Sequence, residues 1–375
     1  MINPDSLYQF LKSRDIEFYS GVPDSLMQNW LLTLQRNSTE SNHIIAVNEG
    51  AAVAIAAGYY MGTGKLPVVY LQNSGLGNAV NALTSITDKE IYSIPILLFI
   101  GWRGAPGIHD EPQHIKMGRI TEQMLDVLEI PHFILEEDES QAFTTVENAA
   151  NLALQQQSPV AILVKANVFS KQGTDTRSSE YKLTRERSID MILDGCNVDD
   201  VIISTTGKAS RELYELNQNR ATPFAKVFYT IGGMGLANQI ALGIDLQKRS
   251  RIIMLDGDGA MLMHLGTAAT IGQIASDNYV HVVLNNGCHE SVGGQPTEGF
   301  DIDLCHVASA CGYKDVTLVT NEQQLQDWIA GSLNKPGKKL LEIRMNAASR
   351  EKLMRVPGPF TEKKELLMSM LSIKP

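Results

Sequence analysis

The sequence predicts an α/β protein made of two doubly wound parallel-sheet domains. Short β-like runs alternate with helical stretches along nearly all of its 375 residues. The β-like runs are continuously apolar, as expected where helices cover both faces of a parallel sheet. A polar stretch without apolar periodicity, 169–187, interrupts the alternation once and reads as a surface linker. The expected organisation is therefore domain 1–168, linker 169–187 and domain 188–375.

In the first half the strand candidates are 16–20, 43–47, 66–72, 94–100, 131–135 and 159–165. Helical stretches between them include DSLMQNWLLTLQ (24–35) and GAAVAIAAGYYMG (50–62). In the second half the strand candidates are 200–204, 251–256, 279–285, 315–320 and 339–345, and TEKKELLMSMLSI (361–373) reads as a terminal helix.

Composition narrows the classes. With 43% hydrophobic and 20% charged residues the chain reads as compact and soluble. No apolar run is long enough for a transmembrane helix, and MINPDSLYQF lacks the pattern of a secretory signal. The four cysteines, Cys196, Cys288, Cys305 and Cys311, show no CxxC spacing, against a zinc site or disulfide framework and in favour of a reducing, cytoplasmic setting. A net charge of −10 disfavours a nucleic-acid surface.

Ligands of open parallel sheets bind outside the carboxyl ends of the strands, so the residues after each strand carry the argument. MLDGDGAM (254–261) drives an apolar run into Asp256-Gly257-Asp258-Gly259 and then starts a helix near Ala260. Glycines admit a tight turn and close ligand approach. A carboxylate there repels a phosphate but holds Mg²⁺, which in turn holds a diphosphate. A second oxygen donor is expected at the next strand end, and VHVVLNNGCHE supplies Asn285 and Asn286. Twenty-five residues lie between Gly259 and Asn285, about one helix plus one strand, which brings both strand ends to one edge. Each motif alone is an ordinary turn; the pair in a βαβ context points to a metal-bridged diphosphate.

The pair, from Gly257 to Asn286, resembles the GDG…NN signature of thiamin diphosphate-dependent enzymes. The resemblance implies the thiamin diphosphate-binding fold, with a pyrimidine domain and a diphosphate domain. It assigns the metal to Asp258, Asn286 and the Cys288 carbonyl, with Asp256 ending the strand, and the diphosphate turn to Gly257, Asp258, Gly259 and Ala260. Such enzymes need a glutamate to hydrogen-bond the aminopyrimidine; HIIAVNEGAAVAIAAGYYMG supplies Glu49, the only acid between Glu40 and Asp88. As a residue alone Glu49 reads as a first-turn acid favoured by the helix dipole. TIGGMGLANQIALGI (230–244) is similar to the segment that puts a large apolar side chain under the bent cofactor, with Gly233 and Met234 in place; core packing is the other reading, and both mean a buried contact. The family's assembly implies a homodimer or homotetramer with thiamin diphosphate and Mg²⁺ at a subunit interface.

Further segments are similar to the short two-domain 2-oxo acid decarboxylases of this family. They include FYSGVPDSLM, GWRGAPGIHDEPQHIKMG, STTGKASRELYE and LNNGCHESVGGQPT. The implied reaction is decarboxylation of 3-phosphonopyruvate to phosphonoacetaldehyde, in phosphonate biosynthesis, with a sulfonate analogue as the near alternative. An anionic substrate needs cations and donors. The segment 101–119 carries Arg103, His109, His114, Lys116 and Arg119 against Asp110 and Glu111. Arg103, His109 and Lys208 are the expected substrate contacts. His109, His114, Asp24 and Ser25 are the expected catalytic groups beside Glu49. Asn73 and Gly207 are expected at the cofactor, with Thr206 as a neighbour. STTGKAS is not a P-loop: its first glycine is missing and Ala209 follows the lysine. A non-catalytic Mg-diphosphate-binding module needs neither Glu49 nor the Met234 segment. The chain lacks the strand–GxGxxG–acid pattern of a dehydrogenase, and it leaves no room for the central domain that typical decarboxylases and flavin-dependent carboligases of this family carry.

Overall fold

The structure, a computed structural model, describes residues 1–173, 179–247 and 250–372. Positions 174–178 of the expected linker and residue 373 of the expected terminal helix lie outside them. The chain divides into two compact units: Met1–Asp175 with His289–Gln295, and Thr176–Cys288 with Pro296–Pro375. The division falls inside the polar stretch 169–187. That 289–295 belongs to the first unit was not legible in the sequence.

The first unit is a six-stranded parallel sheet of β1 (Tyr19–Gly21), β2 (His43–Ile45), β3 (Val68–Gln72), β4 (Leu97–Gly101), β5 (His132–Ile134) and β6 (Val160–Val164), in the order β2-β1-β3-β4-β6-β5. Its helices are α1 (Pro4–Lys12), α2 (Gln28–Asn37), α3 (Glu49–Thr63), α4 (Leu76–Ser85), α5 (Pro112–Val127) and α6 (Glu139–Gln156). The alternation of side chains across the sheet separates two cores. Val68, Tyr70, Leu97, Phe99 and Ile162 pack with Trp30 on one face. Val69, Leu71, Leu98, Ile100 and Leu163 pack with the small residues Ala52, Ala56 and Ala79 on the other. Helix α3 owes its register to local capping, since the Asn48 side chain accepts the Ala51 N–H at its start and Gly64 (φ 70°) ends it. Helix α2 lies in the expected 24–35 stretch but starts four residues into it, at Gln28. The Asp24 carboxylate accepts the Leu26 N–H at 2.9 Å and holds 24–27 as a turn instead.

The second unit repeats the plan. β7 (Val201–Ser204), β8 (Val227–Tyr229), β9 (Ile252–Gly257), β10 (Tyr279–Asn285), β13 (Asp315–Val319) and β14 (Lys339–Arg344) form a parallel sheet in the order β13-β14-β10-β9-β7-β8. The short pair β11 (Cys288–His289) and β12 (Gln295–Pro296) stands apart from it. The helices are α7 (Arg185–Gly195), α8 (Lys208–Asn219), α9 (Ala237–Asp245), α10 (Asp258–Met263), α11 (Thr267–Ile274), α12 (Leu304–Cys311), α13 (Glu322–Trp328) and α14 (Phe360–Ser372). Every strand expected from the sequence is present. β8 was missed, because three residues after Lys226 carry too little pattern. Among the described residues no helix is long and apolar enough to cross a membrane.

Strand order fixes where a ligand fits. In the first sheet the chain leaves β1 to one side for β2 and to the other for β3; in the second it leaves β7 for β8 and then for β9. The crevices at β1/β3 and β7/β9 are the topological switch points, and their carboxyl ends are the expected sites.

Candidate active site

At the first switch point the turn after β1 meets the end of β3. Asp24, fully buried, accepts a hydrogen bond from Gln72 Nε2 at 2.8 Å. Burial pushes its carboxyl up from the ordinary range, against the bonds from Gln72 and Leu26 and the charge of Arg103. Gly101 closes the space: a Cβ there would lie 2.1 Å from Asp24 Oδ1. Arg103, two residues after β4, donates through Nη1 to Ser25 Oγ at 2.9 Å. Its other edge is bidentate with Asp110, at 2.7 and 2.5 Å. Burial opposes ionisation of Asp110, but Arg103 and the Glu111 and Gly104 N–H groups hold its carboxyl well below the usual range.

The segment 101–119 was read as a local excess of cations. The structure modifies that reading. Arg103 reaches Ser25 and acts on Asp24 through its charge, yet that charge is matched by Asp110. His114 is buried on α5, whereas His109, Lys116 and Arg119 are exposed. Asn73 donates to the Arg103 carbonyl at 2.8 Å and to Thr121 Oγ1 at 3.0 Å; its buried Oδ1 is unpaired among the described residues.

Glu49 opens α3 just beyond β2 and is only 5% exposed. Burial raises its carboxyl pKa, against a bond from Asn78 Nδ2 at 2.8 Å. Gly75 packs so closely that a Cβ would fall 2.0 Å from Glu49 Oε1. Gln72, Gly75, Asn78 and Thr121 were not singled out from sequence. Their signal is only positional: Gln72 and Gly75 fall at or just beyond the end of β3, Asn78 on α4 and Thr121 on α5.

The second unit brings the GDG and Asn-Asn segments together. β9 and β10 are adjacent, with Leu284 opposite Gly257. Asp258, 3% exposed, accepts from the Gly259 and Asn286 N–H groups and from Thr297 Oγ1. Burial pushes its carboxyl up to about 6 despite these bonds. These partners are all neutral, so the buried negative charge is uncompensated by them, a fit for a divalent cation. Asn286 Oδ1 accepts the Cys288 N–H at 3.2 Å. Asn285 instead ties the turn down, donating to the Gly299 carbonyl and to Glu342 and accepting from Gly287. Asp256 bonds His281 at 3.1 Å and Asn238 at 3.2 Å, so its carboxylate is occupied inside the sheet. Ala260 is buried in α10, which begins at Asp258 rather than near Ala260.

Beyond β7, Gly207 (φ 93°) precedes α8, Lys208 Nζ donates to Ser349 Oγ at 2.7 Å, and Thr206 is half-buried. The buried hydroxyls of Thr205 and Thr230, beyond β7 and β8, are unpaired among the described residues. These donors suit the oxygens of a diphosphate. Met234 is half-buried, on the turn between Gly233 (φ 63°) and Gly235 (φ 79°), and lies outside both cores of the unit, which sets aside core packing as the reading. Thr297 was missed, as nothing in GGQPT marks it as the partner of an aspartate 39 residues away. None of the four cysteines is in a disulfide among the described residues.

Comparison with known proteins agrees with this geometry. Residues 4–130 match the thiamine pyrophosphate enzyme N-terminal TPP binding domain, and residues 205–343 the C-terminal TPP binding domain. The chain is similar to phosphonopyruvate decarboxylase of Streptomyces viridochromogenes, 34% identical over 371 residues, 95% of this chain and 91% of the relative. It is 31% identical to the same enzyme of Streptomyces hygroscopicus, over 93% of this chain and 89% of the relative. It is 27% identical to sulfopyruvate decarboxylase of Methanosarcina acetivorans, over 86% of each chain. Two parallel sheets, a buried carboxylate at each ligand edge and the match of both domains lead to one conclusion: the chain belongs to the thiamine pyrophosphate enzyme family, as a 2-oxo acid decarboxylase that binds the cofactor with Mg²⁺.

Proposed function

We propose that the protein decarboxylates 3-phosphonopyruvate to phosphonoacetaldehyde and CO₂. The observation that carries the reading is the pair of buried carboxylates, Glu49 and Asp258, each held by neutral donors at the ligand edge of its own sheet. The substrate follows the relatives, of which two are phosphonopyruvate decarboxylases matched over most of their length.

Thiamin diphosphate, when bound, supplies the electron sink that lets a 2-oxo acid lose CO₂. The chain supplies the rest. Glu49 hydrogen-bonds the aminopyrimidine, and its raised pKa keeps that proton exchangeable. Asp258, Asn286 and the Cys288 carbonyl hold Mg²⁺, and Gly207, Gly257, Gly259 and the Thr205 and Thr230 hydroxyls line the diphosphate. Asp24, its carboxyl raised by burial, holds a proton for the product, and Arg103 orients Ser25 beside it. Met234 and Gly233 support the cofactor. His109, His114 and Lys208 remain candidate contacts for the anionic tail. The assembly is a homodimer or homotetramer sharing the cofactor at an interface, in a cytoplasmic setting.

The 27% identity to a sulfopyruvate decarboxylase favours one second reading, the sulfonate substrate. CO₂ release from both acids, with and without thiamin diphosphate and Mg²⁺, tests the two. Preference for phosphonopyruvate that needs both additions is expected. Preference for sulfopyruvate overturns the substrate and leaves the cofactor roles standing.

A further inference from the structure

Gln295 lies in β12, on the loop that leaves the Asn-Asn-Gly turn, and its side chain is fully buried at 0% exposure. Neither Oε1 nor Nε2 has a hydrogen-bond partner among the described residues. A primary amide carries two donors and two acceptor positions. Buried polar groups are nearly always paired, because an unpaired one keeps the full penalty of its desolvation. Exchanging the amide nitrogen and oxygen changes nothing, since both are unpaired.

Gly293 (φ 131°) locates the amide. A Cβ there would meet Gln295 Nε2 at 2.7 Å, Gln295 Oε1 at 3.0 Å and Gln28 Cγ at 2.8 Å. The amide therefore lies beside the first residue of α2, which directly follows the Asp24–Ser25 turn at the first switch point. Gln28, Asp24 and Gln295 all belong to the first unit. Arg103, the cation that reaches this turn, is already matched by Asp110. Neutral donors are then needed to receive an anionic ligand here, and a buried amide is one.

We propose that Gln295 is a specificity-determining substrate contact, its Nε2–H donating to an anionic oxygen of the bound 2-oxo acid. The inference rests on the function proposed above. It is tested with Gln295→Met and Gln295→Glu in the full chain loaded with thiamin diphosphate and Mg²⁺. Loss of a hydrogen bond to a charged group predicts that Gln295→Met raises KM about 10-fold or more. kcat stays within about 3-fold, the signature of lost binding shared by ground and transition states. Gln295→Glu is worse, because its charge opposes the anion. Calorimetry with phosphonoacetate, which lacks the ketone and does not react, shows the same weakening, while cofactor affinity is unchanged.

A structural role is separated by the melting temperature of the cofactor-free protein. Removing an unpaired buried amide raises it by a few degrees, whereas removing a structural one lowers it. An active wild type whose KM is unchanged in Gln295→Met overturns this inference alone. So does cofactor affinity that falls in step with KM. A wild type that releases no CO₂ from either acid overturns the proposed function and this inference with it.

Discussion

Replacing Glu49 with glutamine separates the chemistry of the site from its architecture. Glutamine matches glutamate in shape, and its Oε1 still accepts from Asn78 Nδ2, now 2.8 Å from the carboxylate. What is lost is an exchangeable proton in a buried position, 5% exposed and walled by Gly75. A positioned acid–base group contributes about 10²–10⁴ in rate. Burial keeps water from substituting, so the upper part applies, a loss of about 10³–10⁴-fold, or about 4–5.5 kcal/mol in the barrier. Stability moves the other way. Burial raises the Glu49 pKa above its ordinary 4.5. The folded state therefore holds this proton more tightly than the unfolded state. The carboxyl's contribution to stability is fully present below about 4.5 and is lost as pH rises through the raised folded value. The Glu49→Gln variant escapes that loss, so without cofactor it melts above wild type at pH 8 and the gap closes below pH 4.5. Each 1 kcal/mol corresponds to about 2–4 °C in a unit of this size. Steady-state CO₂ release and paired melts at pH 4 and pH 8 read both effects. Turnover within tenfold of wild type, or a variant that melts below wild type at pH 8, refutes the reasoning.

Two further predictions follow from contacts the structure supplies. Thr297→Val removes the hydroxyl that donates to Asp258. Losing such an orienting bond to a metal ligand typically costs about 10–100-fold in metal affinity, so the Mg²⁺ concentration for half-maximal activity rises by about that factor while kcat at saturating Mg²⁺ changes little. Arg103→Met leaves Asp110 without its bidentate partner at side-chain exposures of 17% and 12% for the pair; urea unfolding should show a loss of about 2–4 kcal/mol, largely recovered in the Arg103→Met, Asp110→Asn double variant.

The fold was legible because both sheets are buried on two faces. Runs such as Val68–Gln72 and Ile252–Gly257 cannot alternate with polar residues, and their apolar continuity marks them. β8 escaped because Val227–Tyr229 is too short to carry a pattern. In the site, the Asp256-Gly257-Asp258-Gly259 turn paired with Asn285-Asn286 pointed to Asp258, and the resemblance pointed to Glu49; the structure buries both carboxylates. Their supports were not legible. The Thr297 hydroxyl on Asp258, the Asn78 amide on Glu49 and the Gln72 amide on Asp24 pair residues 29 to 48 positions apart, and spacing alone does not show such pairs. The cation cluster of 101–119 hid a pairing for a related reason. Counting charges did not show that Asp110 turns back onto Arg103. Of the two readings of Met234, core packing is set aside, since its turn stands outside the cores.

The central proposal is that Glu49 of one subunit and Asp258 of another serve opposite ends of one cofactor. Calorimetric binding of thiamin diphosphate to the cofactor-free wild type, Glu49→Gln and Asp258→Asn, with Mg²⁺ present and then chelated, tests it most directly. The account predicts Mg²⁺-dependent binding to wild type, retained binding by Glu49→Gln without turnover, and loss of binding by Asp258→Asn. Binding to Asp258→Asn as tight as to wild type would contradict it.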